Sequence, residues 1–193
     1  MKATISTIAS TLALFAATSS QAAVIGGPIL NPANNHFYLL LSQNTWTASE
    51  AEALTLGSHL ATINNAAEDS WVFDTFSTFG GVNRQLWIGL NDLAQAGNFQ
   101  WTSGEPVTYT HWAVGEPNFI GDERYVYIVG PGVPPAPREW NNYYNASDFP
   151  PWGASGGFFG VVETPEPSAA LLLLSGSLFF FQRRSLRTNE RNA

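Results

Sequence analysis

Hydrophobic and polar positions change period several times along this 193-residue chain. Residues 36–41 (H-F-Y-L-L-L) form a short apolar run, which predicts a strand. Thr47-Ala48-Ser49-Glu50 has capping-box spacing and predicts a helix to Leu56, with Ala48, Ala51 and Leu54 facing inward and Gly57 ending it. Residues 59–63 (H-L-A-T-I) predict a strand. Asn65-Ala66-Ala67-Glu68 is a second capping box, opening a helix to about Phe76 whose Trp71, Val72 and Phe76 fall at core spacing. Residues 86–90 (L-W-I-G-L) are continuously apolar and predict a central strand; 99–101, 125–129 and 158–162 predict further short ones. Residues 24–35, rich in Gly, Pro and Asn, predict a lead-in loop, and 107–120 show no regular pattern. Two helices followed by many short strands predict an α+β domain over 36–163, its helices packed on short antiparallel sheets around a long irregular loop region. No internal repeat is present.

The two ends have a different character. Residues 1–23 carry Lys2, an apolar run and small residues at Ser20 and Ala22, the pattern of a secretory signal peptide. Residues 164–193 begin T-P-E-P, continue with the apolar run A-A-L-L-L-L-S-G-S-L-F-F-F and end in a cluster opened by Arg183-Arg184. That run is short for a stable membrane span, and the arginines hold its end on the cytoplasmic side. The order of parts resembles the PEP-CTERM sorting tail of Gram-negative bacteria. The resemblance implies transient membrane insertion, recognition by an exosortase as partner, cleavage near Pro-Glu-Pro, and release to the cell surface or extracellular polymer. A permanent C-terminal anchor is the other reading.

Composition narrows the function classes. The apolar fraction is 45%, with seven Trp and thirteen Phe, enough for a packed core. There are no cysteines, which excludes disulfides, thiolate zinc sites and thiol catalysis. His36, His59 and His111 are not at metal-ligand spacing, and His59 reads as structural. Five of the eight basic residues lie in the two ends, leaving Arg84, Arg124 and Arg138 against thirteen acids. So acidic a middle argues against a nucleic-acid partner.

Candidate chemistry concentrates in residues 112–142. Glu116, Asn118, Asp122, Glu123, Asn141 and Asn142 lie on either side of the apolar stretch 125–129. Oxygen-only side chains in such a cluster suit a hard cation, and calcium is the usual extracellular one.

Six phrases in order resemble a C-type lectin-like domain. They are T-W-T-A-S-E-A-E-A-L-T-L-G-S-H-L-A-T-I (45–63), W-I-G-L-N-D (87–92), F-Q-W-T-S-G-E (99–105), W-A-V-G-E-P-N (112–118), E-W-N-N (139–142) and G-V-V-E (160–163). The resemblance implies a Ca²⁺ site built from Glu116, Asn118, Glu123 and Asn141, with Asn142 as a fifth member. It implies that Glu116, Asn118, Glu123 and Asn141 also bind sugar hydroxyls of mannose or glucose type, and that Pro117 is cis. Trp87, Gly89, Trp101, Trp112 and Trp140 are expected to be structural.

Three departures stand out. Asn142 replaces an Asp, so the set carries two negative charges rather than three, and calcium affinity is expected in the weak range of about 10⁻⁴ to 10⁻³ M. The family's disulfides are absent. A Pro-rich loop, 130–137, precedes Trp140. An auxiliary calcium site at Asp92 is expected to be defective, because Ala96 stands where an acid belongs. Glu105 and Glu116 do not have glycosidase spacing, and no G-x-S-x-G phrase occurs, so no enzyme is expected. The reading is an exported carbohydrate-binding module acting on extracellular or envelope polysaccharide. Its alternative is a calcium-independent protein- or matrix-interaction domain on the same scaffold.

Overall fold

A computed structural model describes residues 22–118, 120–133, 137–148 and 157–164. Side-chain caps set the starts of both helices. Helix α1 (Trp46–Thr55) begins after Thr45, whose hydroxyl accepts from the Ala48 amide at 3.3 Å. The expected box at Thr47 and Glu50 is therefore corrected. Glu50 turns inward, where its carboxylate accepts from the Leu60 amide (2.9 Å) and pairs with His59 Nδ1 (2.6 Å). A buried carboxylate is tolerated only with such partners. The inward face is Trp46, Ser49, Glu50 and Ala53, while Ala51 and Leu54 are exposed. The helical period is the expected one, and its phase differs. Ser49, a polar residue, sits inward because Gly160 offers no side chain: a Cβ there would lie 2.8 Å from Ser49 Cβ. Helix α2 (Ala66–Phe76) starts as predicted, with Asn65 accepting from the Ala67 and Glu68 amides. Glu68 reaches back to the Asn64 amide (2.8 Å) rather than to that of Asn65.

The strands are β1 (Val24–Asn31), β2 (His36–Gln43), β3 (His59–Leu60), β4 (Gln85–Asn91), β5 (Gln100–Trp101), β6 (Tyr125–Ile128), β7 (Trp140–Tyr143) and β8 (Phe158–Thr164). They form one mixed sheet in the order β1-β2-β8-β4-β6-β7, with β3 on β8 and β5 on β4. The expected α+β class stands, but β4 and β8 run parallel, so the sheet is not purely antiparallel. The expected lead-in loop is also corrected: its first part is β1, paired with β2 from Val24↔Leu41 to Asn31↔His36. Its Gly and Pro content hid it, because β1 is an irregular edge strand, the position where Pro is tolerated in a sheet. β7 went unpredicted because Asn141 and Asn142 read as loop residues.

Strand β4 is central. Its Leu86, Ile88 and Leu90 join Val72, Phe73 and Phe76 of α2 in one core. Trp87 points the other way, into a second core with Trp46 and Ala53 of α1. There it stacks on Phe158, with centroids 4.1 Å apart and planes 13° apart. The strand period of two thus feeds both cores from one strand. Gly89 is needed where the chain crosses β4: a Cβ would lie 2.6 Å from the Leu60 carbonyl oxygen. Among the described residues no helix is long and apolar enough to cross a membrane. Residues 1–21 and 165–193, where the sequence leads one to expect a leader and a sorting tail, lie outside the described residues.

Candidate metal and ligand site

The site is assembled on the β6–β7 pair and the loop before it. Tyr127 pairs with Asn141 and Val126 with Asn142. Glu123 lies just ahead of β6, and the Asn142 amide donates to the Glu123 carbonyl at 2.8 Å. Asn142 is fully buried and Asn141 half-buried. The Glu116 loop is anchored to the same strand. The Trp140 amide donates to the His111 carbonyl (2.6 Å), and the Ala113 amide donates to the Trp140 carbonyl (2.8 Å). A turn then follows, with the Glu116 amide donating to the Ala113 carbonyl at 2.9 Å. The Glu116–Pro117 peptide bond is cis, as the resemblance implied.

These connections bring four predicted oxygen donors together. The Glu116 carboxylate accepts from the backbone and side-chain amides of Asn118, each at 3.0 Å, and from the Asn141 side chain. The Glu123 carboxylate lies within electrostatic reach of Glu116. Burial raises the carboxyl pKa of both above the ordinary value, against the hydrogen bonds that lower that of Glu116. The charge of Glu116 raises that of Glu123 further. Beneath them the Tyr127 hydroxyl is pushed far up, first by burial and then by Tyr143, Glu116 and Glu123. Three buried oxygens, Glu123 Oε2, Asn141 Oδ1 and Asn142 Oδ1, accept no hydrogen bond among the described residues. Unsatisfied buried acceptors beside two mutually repelling carboxylates fit a hard divalent cation. The set holds two carboxylates and three amides; no three His, Asp or Glu side chains converge among the described residues.

Neighbouring acids are placed otherwise. Asp122 is exposed and pairs with Arg124 at 3.2 Å, so it does not join the set. Asp92 is buried and closes its own loop, accepting from the Gly97 amide at 2.7 Å, while Arg124 donates to its carbonyl at 3.2 Å. Trp87, Trp101 and Trp140 are buried. Trp112 is half-buried, 5.0 Å from the Phe99 ring and 6.1 Å from that of Trp140.

One supporting residue escaped the sequence reading. Asp69, buried on α2, accepts from Trp140 Nε1 (2.8 Å), His111 Nδ1 (2.6 Å) and the Tyr109 hydroxyl (3.4 Å). It thereby ties α2 to the segments on both sides of the site. A buried indole N–H calls for an acceptor, but no spacing in the sequence says which acid supplies it.

The sequence matches the family model of the lectin C-type domain over residues 42–147, more than half of the chain. The chain belongs to the C-type lectin domain family. It is 34% identical over 113 residues to the hepatic lectin of Gallus gallus, covering 56% of this chain and 48% of that protein. It is 31% identical over 108 residues to lectin BRA-3 of Megabalanus rosa, covering 54% and 64% respectively. Its structure is similar to the C-type lectin CEL-I from Cucumaria echinata, with a TM-score of 0.53, 29% identity, and coverage of 68% of this chain and 91% of that one. The C-type lectin domain thus accounts for the fold and for five of the six phrases. The sixth, 160–163, lies beyond the matched residues, in β8. The chain spans about half to two thirds of the length of these two curated relatives. These relatives are lectins, carbohydrate-binding proteins rather than enzymes.

Proposed function

We propose that this C-type lectin domain binds carbohydrate through a calcium ion held by Glu116, Asn118, Glu123, Asn141 and Asn142. The observation that carries the reading is the trio of unsatisfied buried oxygens beside two carboxylates. A bound calcium ion supplies open coordination positions for a pair of vicinal hydroxyls. The chain's own residues do the rest. Glu116 and Glu123 balance the charge and accept from hydroxyls, while Asn118 and Asn141 present an amide oxygen and an amide N–H each. This mixed set suits the equatorial hydroxyl pair of mannose or glucose. With two carboxylates rather than three, the affinity for calcium falls in the range of about 10⁻⁴ to 10⁻³ M. The test is binding of the full chain to a mannan surface with calcium and with chelator. Retention that chelator abolishes, and that Glu116→Gln removes, supports the reading; retention unchanged by chelator refutes it.

A calcium-independent interaction domain is the second reading. Its supporting observation is that Asn118 already satisfies the Glu116 carboxylate, and Asn142 already donates to the Glu123 backbone carbonyl. A protein partner captured in chelator, with no glycan retained in calcium, would favour it.

The ends complete the proposal. A leader exports the chain, and an exosortase cuts the tail after transient membrane insertion, leaving the domain at the cell surface or in extracellular polysaccharide. Mass spectrometry of the mature protein checks this. A C-terminus near Thr164 supports the reading; an intact tail in the envelope fraction would leave the permanent anchor instead.

A further inference from the structure

A second polar cleft lies away from the calcium set, on the far side of β4 in the strand order. Its wall follows from register. Tyr38 and His59 both pair with Glu163, from opposite sides of β8, and His36 lies two residues before Tyr38. Directly opposed residues and i, i+2 residues share a face, so His36, Glu163 and His59 look out together.

Both imidazoles are fixed in one orientation. His36 Nδ1 meets Glu163 at 2.6 Å and His59 Nδ1 meets Glu50 at 2.6 Å. The carboxylates are 10% and 11% exposed, whereas the rings are 34% and 40% exposed. A ring that donates Nδ1–H to an acid carries its lone pair on Nε2 when neutral. Both rings line a cavity of about 270 Å³, and in the neutral ring the nitrogen not engaged by the carboxylate is an acceptor.

The opposite wall is the turn carrying Ser103 and Glu105. It is pinned by Thr62 Oγ1 to Ser103 Oγ (2.8 Å) and by Asn64 Nδ2 donating to Glu105 Oε2 (3.0 Å). Ser58 also lines the cavity; it is 7% exposed, and its hydroxyl has no partner among the described residues. Leu60 supplies an apolar floor. None of Arg84, Arg124 and Arg138 lines this cleft; each is engaged elsewhere. The cleft is thus rich in acceptors and free of fixed cations. Its volume, just below the usual range for ligand pockets, suits one small ring rather than a chain. Among the described residues no three metal-ligating side chains converge here, and a lining of acceptors matches a neutral donor of several hydroxyls.

We propose that the cleft between His36, His59 and the Ser103–Glu105 turn is a second saccharide subsite that works without calcium. It holds one sugar ring through the two Nε2 atoms and Glu105. This stands apart from the calcium-dependent reading and can survive its failure.

The test is a titration of the full chain with methyl α-D-mannopyranoside in excess EDTA, followed by NMR of the three imidazoles. His111, bound to Asp69 outside the cleft, is the built-in control. The signals of His36 and His59 shift while that of His111 stays, and Glu105→Ala weakens the effect about three- to tenfold, the loss of one hydrogen bond. Glu105 is exposed, so the variant keeps the fold. The proposal is overturned if His36 and His59 do not move, if their shifts require calcium, or if methylammonium moves them and the glycoside does not. Shifts that persist in EDTA without any calcium-dependent mannan binding would sink the calcium reading and leave this one standing.

Discussion

Asn142 sets the charge of the proposed calcium set. It is buried, donates to the Glu123 carbonyl, and leaves its own carbonyl oxygen unsatisfied. Asn142→Asp adds a third carboxylate at the cost of that hydrogen bond. The variant is expected to bind calcium about tenfold more tightly, as one charge-assisted contact allows. In chelator it is expected to lose about 1 to 3 kcal/mol of stability, because a buried carboxylate then faces the Glu123 carbonyl with no proton to donate. Calorimetry and denaturant unfolding read the two effects separately. The pH dependence follows from Glu116 and Glu123, whose carboxyls are both held above the ordinary value. Their protonation favours the folded state below the unfolded carboxylate pKa, about 4.3, and that contribution is lost as pH rises through the folded values. Calcium competes with the same protons. The gain in Tm on adding calcium should be near zero at pH of about 4 and grow toward pH of about 7. A gain that is constant with pH contradicts the assignment. The candidate loop was legible because Glu116, Pro117 and Asn118 form one short phrase, whose cis bond the structure shows. The inward pose of Asn142 was not, because it depends on β6–β7 register.

Helix starts show how a local signal can be read in the right place and the wrong phase. Thr45 and Thr47 both precede helical residues, and only Thr45 accepts from a helix amide. Thr45→Ala is therefore expected to cost about 1 kcal/mol, and Thr47→Ala, at an exposed position, within about 0.5 kcal/mol of nothing. Equal losses in chemical denaturation would contradict the cap. Glu50 has the spacing of a capping residue but serves His59 and the Leu60 amide instead, a long-range partnership that no local period encodes. Asp69 works at this scale too. It joins α2 to the indole of Trp140 and the imidazole of His111. Asp69→Ala leaves the Trp140 N–H buried and unpaired, a loss of about 1 to 3 kcal/mol. Calcium affinity should fall with it, since Trp140 precedes Asn141; an unchanged affinity in the folded variant would show that Asp69 supports the core alone.

The whole domain holds together without a single disulfide. Its two cores meet at β4, where Trp87 is fully buried against Phe158 and Tyr127. The sequence announced β4 through five consecutive apolar residues, and with it the α+β layout. It did not announce β1 or β7. One is broken by Gly and Pro, and the other carries two Asn, which are depleted in strands. The parallel β4–β8 pairing brings residues 85–87 against 158–160, a long-range choice invisible to any short window. The most direct measurement of the central claim is a calorimetric calcium titration of the full chain and of Glu123→Gln. The account predicts one ion bound with a dissociation constant of about 10⁻⁴ to 10⁻³ M, weakened at least about tenfold in the variant. No saturable heat at millimolar calcium, or equal binding by both proteins, would contradict it.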